Sequence, residues 1–384
     1  MGDITLQFEW EVPEEGFRWV DEASRGTTGT TFTLGGVLKD IDPRPPWLIG
    51  PPVGARARTV SYHPLNECPG LYRTFADLPL EKEAILEFAQ RYGRLTKGLV
   101  LVEERGEKPL TTYYAEPWYF WLREIQDMRD ALLLFDLLQG KSEATPLEEG
   151  LQKVIVWQED GVYFQPWDKE LRSLYTDMLG YYESAADRLR KLTLAGKGDL
   201  ESVKQPERIA LDLGRRISKA LEQKGRAYLA PKLIACPTFY GEQFQVWKRT
   251  RDVVAPARLL LARMVTEKLV GKVDFQLKGD ERGFSLAIVP QNLLSALWLA
   301  LLFEILGKVR LRQCPICGTW FDASAAPQRV FCDSRGSGCR QRASRLRKKL
   351  KALLNEGKTL QEAARELEID FPLADFLLKT AAAN

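Results

Sequence analysis

Near its C-terminal end the chain carries four cysteines, Cys314, Cys317, Cys332 and Cys339, in the spacing C-x2-C-x14-C-x6-C. Two pairs separated by a loop are what a tetrahedral thiolate site needs, because each pair grips one edge of the tetrahedron while the chain between them folds back. The first pair lies in Cys314-Pro-Ile-Cys317-Gly318, where the glycine lets backbone amides turn toward the sulfurs. A short hairpin through Trp320, Phe321 and Val330 follows, and a helix opens at the last cysteine. Knuckle, hairpin and helix together predict a treble-clef-like finger built around one structural Zn2+. Four thiolates close the coordination shell and leave no position for a catalytic water.

The segment after the metal site is strongly cationic. From Leu306 to Lys351 there are 12 lysines and arginines against Asp322 and Asp333, which leaves 43 basic and 50 acidic residues elsewhere and hides a polarised molecule under a net charge of +3. Beyond Cys339 the chain reads Arg-Gln-Arg-Ala-Ser-Arg-Leu-Arg-Lys-Lys-Leu-Lys, with Leu346, Leu350 and Leu353 on one narrow stripe. That spacing predicts a helix with one buried edge and a broad phosphate-facing side. The expected contacts are Arg335, Arg340, Arg342, Arg345, Arg347, Lys348 and Lys349, with DNA favoured over RNA as the partner.

These residues resemble the CGNR-type zinc finger at the C-terminus of bacterial stress-response transcription regulators, over roughly the last quarter of the chain. The likeness rests on the leucine-rich run Leu293–Leu306, the approach Leu311-Arg312-x-Cys314, Phe321 with Asp322 and Ser324, and Arg329 before Cys332. The family's Cys-Gly-Asn-Arg falls on Cys339-Arg340-Gln341-Arg342, which keeps the Cys and the Arg. A generic bacterial finger of the CPxCG…FC…CR-x-RA type fits Cys332 to Ala343 equally well. Both resemblances imply the same chemistry, a zinc-folded DNA-binding finger, and the first implies a transcription regulator. With four of the six cysteines in a metal pattern, a reducing cytoplasm is the expected compartment. The alternative from another class is an RNA- or protein-binding subunit of a bacterial nucleoprotein assembly, such as a defence complex.

Enzyme chemistry finds little support. The single histidine, His63, excludes a multi-histidine metal centre, and no phosphate-cradling or dinucleotide-binding glycine motif is present. His63 lies between Tyr62 and Pro64 in a turn-like loop, while Asp274, Lys278, Asp280 and Glu281 read as a solvated hairpin. Cys68 and Cys236 have no assigned role. The longest apolar run, Leu293–Leu306, is interrupted by Ser295 and Glu304 and falls short of the roughly 20 residues that span a bilayer.

The predicted fold class is α+β, mainly α. Four regions are expected: a loop-rich stretch over 1–110, a helical body over 111–306, the finger with its basic helix over 307–356, and a helical hairpin over 357–384 that packs on the finger or on a protein partner. Within them, Ile85, Phe88, Ala89 and Tyr92 predict a helix ended by Gly93, Pro117 a long helix from Trp118 to Gln139, and two further helices fall at 168–192 and 207–224. Hairpins are expected at Val154–Phe164 around Asp160-Gly161 and at Val273–Val289. Thr31–Leu34 reads as a short strand. Thr359-Leu-Gln-Glu362 is a capping box for the last hairpin.

Overall fold

The computed structural model describes residues 4–20, 24–25, 46–98, 100–104, 111–140, 147–166, 232–280, 283–332 and 338–379. The expected helices at 168–192 and 207–224, and the expected strand Thr31–Leu34, lie outside the described residues.

The N-terminal part contributes strands β1 (Ile4–Leu6), β2 (Trp10–Pro13), β3 (Arg18–Val20), β4 (Ser24–Arg25), β5 (Trp47–Ile49) and β6 (Thr59–Tyr62), then short helices α1 (Pro64–Glu67) and α2 (Leu71–Ala76). Helix α3 (Lys82–Tyr92) buries Ile85, Phe88 and Ala89 as their spacing requires, and Gly93 ends it with φ +90°. Strands β7 (Val100–Glu104) and β8 (Thr111–Pro117) pair with each other and complete a five-stranded antiparallel sheet in the order β3-β5-β8-β7-β4. That sheet is larger than the hairpins expected, because β5 and β8 join strands far apart in the chain.

Helix α4 (Trp118–Leu138) runs through the centre of the core. Pro117 stands at its N-cap in extended backbone instead of inside its first turn. Trp121, Ile125 and Met128 are fully buried, so the aromatic-rich face is core. Helix α5 (Leu147–Gln152) leads to β9 (Ile155–Trp157) and β10 (Val162–Phe164), which form the expected hairpin across Asp160-Gly161 and gain β11 (Lys232–Ala235) as a third strand. Helices α6 (Pro237–Thr250) and α7 (Val254–Leu269) precede the long hairpin β12 (Val273–Asp280) and β13 (Gly283–Pro290). Strand β1 lies parallel to β13, with Ile4 beside Leu286, in a sheet of mixed direction. Helix α8 (Leu293–Ile305) opens on a capping box between Asn292 and Ser295. It is apolar nearly all round and accordingly buried, with Trp298 at its centre. The class is α+β. No described helix is long and apolar enough to cross a membrane.

The body also buries a lattice of charges. Glu124, Asp127 and Asp130 follow one face of α4, where Lys268 of α7 reaches Glu124 at 2.6 Å and Asp127 at 2.8 Å, and Lys232 of β11 reaches Asp127 and Asp130 at 2.9 Å each. Burial alone would push the Lys268 ammonium down, yet Glu124 and Asp127 outweigh it and hold the group above its ordinary value. Removing one partner strands the others in a poorly solvated place. Lys268→Met is therefore expected to cost about 3–5 kcal/mol of stability, read as a lower urea midpoint. Pairing it with Glu124→Gln should return part of the loss.

Candidate metal centre and its basic helix

Strand β14 (Leu311–Gln313) brings the chain to Cys314, and β15 (Trp320–Asp322) takes it away, so the first cysteine pair sits at the tip of an antiparallel hairpin. The Cys314 amide donates to the Thr319 carbonyl at 3.0 Å and the Gly318 amide to the Cys314 carbonyl at 2.8 Å. Gly318 closes this turn at φ +70°, a conformation other residues enter at a cost. Cys332 returns on the loop after β15, and Cys339 lies in the first turn of helix α9 (Gly338–Asn355). The sequence-predicted ligands come together.

All four sulfurs lie within 4.8 Å of one another, with Cys317 Sγ 3.4 Å from Cys332 Sγ and Cys332 Sγ 3.7 Å from Cys339 Sγ. A tetrahedron with metal–sulfur bonds of about 2.3 Å has edges of about 3.8 Å. The cluster thus has the size of a tetrahedral thiolate site. Burial works to raise the Cys317 thiol, but hydrogen bonds from Thr319 and from the neighbouring thiols outweigh it and bring the group down to about 6. Burial and the bonds to Cys317 and Cys332 push Cys339 up to about 12. Thiols this close compete for protons, and a divalent ion relieves that competition by replacing them. Among the described residues these four form the only such cluster of potential metal ligands.

The residues around the cysteines brace the module. Phe321 is buried beside Cys314 and Cys332. Asp322 Oδ1 accepts from the Ser324 amide at 2.7 Å, and Ser324 Oγ accepts from the Arg310 amide at 2.7 Å. Arg312 donates to the Arg329 carbonyl at 3.1 Å, and Arg329 donates to the Phe331 carbonyl at 2.9 Å while lying over the Phe321 ring.

Helix α9 buries Ala343 and Leu350 and half-buries Leu346 and Leu353 against α10 (Leu360–Glu366) and α11 (Phe371–Lys379). Thr359 and Glu362 form the capping box of α10, and the last two helices pack on α9 as the expected helical hairpin. Arg340, Arg342, Arg345, Lys348 and Lys349 of α9 are exposed. Arg347 is placed differently. Its Nε donates to the Leu377 carbonyl at 2.8 Å, so it ties α9 to the end of α11. Arg335 lies outside the described residues.

One contact had no local signal in the sequence. Arg73 is buried between Glu304 at 2.9 Å and Asp136 at 3.2 Å, the Tyr72 hydroxyl also donates to Glu304, and the guanidinium lies 5.0 Å from the ring centre of Trp320. Gly70, at φ +81°, lets Trp320 approach so closely that a β-carbon there would lie 2.5 Å from that of Trp320. The cysteine module is docked on the body through this stack. A cleft of about 700 Å³ runs beside it, lined by Arg73, Leu311, Pro315 and Phe376 among others.

His63 is the N-cap residue of α1. Its amide donates to Glu67 at 2.8 Å, and its ring Nδ1 lies 3.3 Å from the Phe8 carbonyl. Cys68 and Cys236 are free thiols, each half-buried. No family model, curated protein or solved structure matches the chain. The likeness to bacterial zinc fingers therefore rests on the residues alone.

Proposed function

We propose that this chain is a DNA-binding transcription regulator whose C-terminal treble-clef-like finger is folded by one structural zinc held by Cys314, Cys317, Cys332 and Cys339. One observation carries the reading: the exposed cations Arg340, Arg342, Arg345, Lys348 and Lys349 on a helix whose edge through Ala343 and Leu350 is anchored in its own small core. From Arg340 to Lys349 the helix advances about 14 Å, a length over which B-DNA presents roughly eight phosphates. The five side chains reach that stretch of duplex without unfolding anything. Arg342, one helical turn beyond the last ligand, reads a base edge, while Arg340, Arg345, Lys348 and Lys349 hold phosphates. The zinc, once bound, supplies no reaction; it supplies the fold on which these cations are displayed.

The test is a fluorescence anisotropy titration of the full zinc-loaded chain against duplex DNA and single-stranded RNA across a salt series. Duplex binding with a slope of log K against log salt near −3 to −4 is expected for about four phosphate contacts. Absence of duplex binding at low salt would sink the reading. Tighter binding to single-stranded RNA would replace it with the nucleoprotein-subunit alternative.

A further inference from the structure

The sheet of β1, β13 and β12 ends on a strand whose outer edge meets no other strand among the described residues. Strand β12 is eight residues long, contains no proline and pairs with β13 in unbroken register. Its length, its lack of proline and its bulge-free pairing leave out three of the devices that blunt an exposed edge. The direction of its backbone groups follows from two observations. The Gln291 amide donates to the Lys272 carbonyl at 3.0 Å, and Val273 lies opposite Pro290, which has no N–H to give. Residues Asp274, Gln276 and Lys278 therefore hold the bonds to β13, while Val273, Phe275, Leu277 and Gly279 turn their N–H and C=O groups outward. Phe275 and Leu277 are also 69% and 71% exposed, on the face they share with Leu286 and Ile288.

The alternate residues state what fits this edge. From Lys272 to Asp280 the even positions read Lys, Asp, Gln, Lys, Asp, a pattern that matches unlike charges when the strand is laid antiparallel on a second copy of itself. Centred on Gln276, such pairing sets Asp274 opposite the second copy's Lys278, and Phe275 opposite its Leu277 as a hydrogen-bonded pair. Sliding the register by two residues brings Lys272 opposite Lys278 in one direction and Asp274 opposite Asp280 in the other. Like charges directly opposite are unfavourable. Lys272 is itself half-buried in the field of Glu124 and Lys268, so the two Asp274–Lys278 pairs carry the selection.

We propose that β12 is a homodimerisation edge: two copies pair antiparallel about Gln276 and join their three-stranded sheets into one of six strands. The Phe275 and Leu277 side chains of both copies then cover one another on one face. The inference rests on β12 alone and stands apart from the nucleic-acid reading.

Sedimentation equilibrium of the full zinc-loaded chain should give a dimer. Phe275→Pro removes an outward N–H while leaving every bond to β13 in place, and should give a monomer with an unchanged circular dichroism spectrum. Asp274→Lys should weaken the dimer about tenfold, and the exchange Asp274→Lys with Lys278→Asp should restore it. Gln276→Cys places two thiols on the axis with Cα atoms about 4.5 Å apart, within disulfide reach. Mild oxidation should link residue 276 to residue 276 of the second copy, whereas Phe275→Cys should form no such link, as shown by peptide mapping. A monomer at every concentration, a dimer indifferent to Phe275→Pro, or equal linking at 275 and 276 would each overturn the proposal.

Discussion

Replacing Cys332 by serine is expected to abolish tight binding of one zinc per chain and to unfold the region after Leu311. Cys332 is buried and its sulfur touches two other ligands, so a serine there takes away one of the four thiolates at the centre of the cluster. Structural zinc in small fingers is worth on the order of 10–16 kcal/mol. The small cores around Phe321 and around Leu350 supply far less, being built largely from single alanines and half-buried leucines. Elemental analysis should fall from one zinc to none, and amide exchange in 338–379 should lose its protection. The body should keep its own protection, because its core closes over Trp121, Phe75 and Trp298 without any cysteine ligand. Full zinc occupancy in the variant, or unaltered exchange in the last three helices, would refute the metal assignment.

The second large effect concerns salt. Changing Arg340, Arg345, Lys348 and Lys349 together to alanine should lower the magnitude of the log K–log salt slope on duplex DNA by about 3.6, at roughly 0.9 for each phosphate contact. Alanine keeps the helix, since these four positions are exposed and its helical propensity is the highest. Arg347→Ala makes the internal contrast. Its Nε bond to the Leu377 carbonyl predicts a loss of stability in the helical hairpin with little change in slope. An unchanged slope in the fourfold variant would remove this helix from any nucleic-acid surface.

How much of this was legible in the sequence depends on distance along the chain. The helix ended by Gly93, the hairpin at Asp160-Gly161, the capping box at Thr359 and the cysteine spacing each place their chemistry within about 25 residues, where periodicity and turn residues speak directly. The parallel pairing of Ile4 with Leu286 and the stack of Arg73 on Trp320 join segments hundreds of residues apart, and no local pattern announces either. Among the basic residues, composition marked a helix face correctly as cationic but could not distinguish Arg347, which reaches a carbonyl, from Lys348, which reaches solvent. That distinction needed the position of α11.

The buried charges of α4 carry a consequence for synthesis. Lys232 follows Asp130 by 102 residues and Lys268 follows Glu124 by 144. At the usual elongation rates of about 5–20 residues per second, Glu124 of α4 is made roughly 7–29 s before Lys268, the last of its partner lysines. Three carboxylates cannot be taken out of water alone. Until α7 arrives, the acidic face of α4 stays solvated and the central core stays open on that side, which makes this interval the one in which the nascent chain depends most on being shielded from its neighbours.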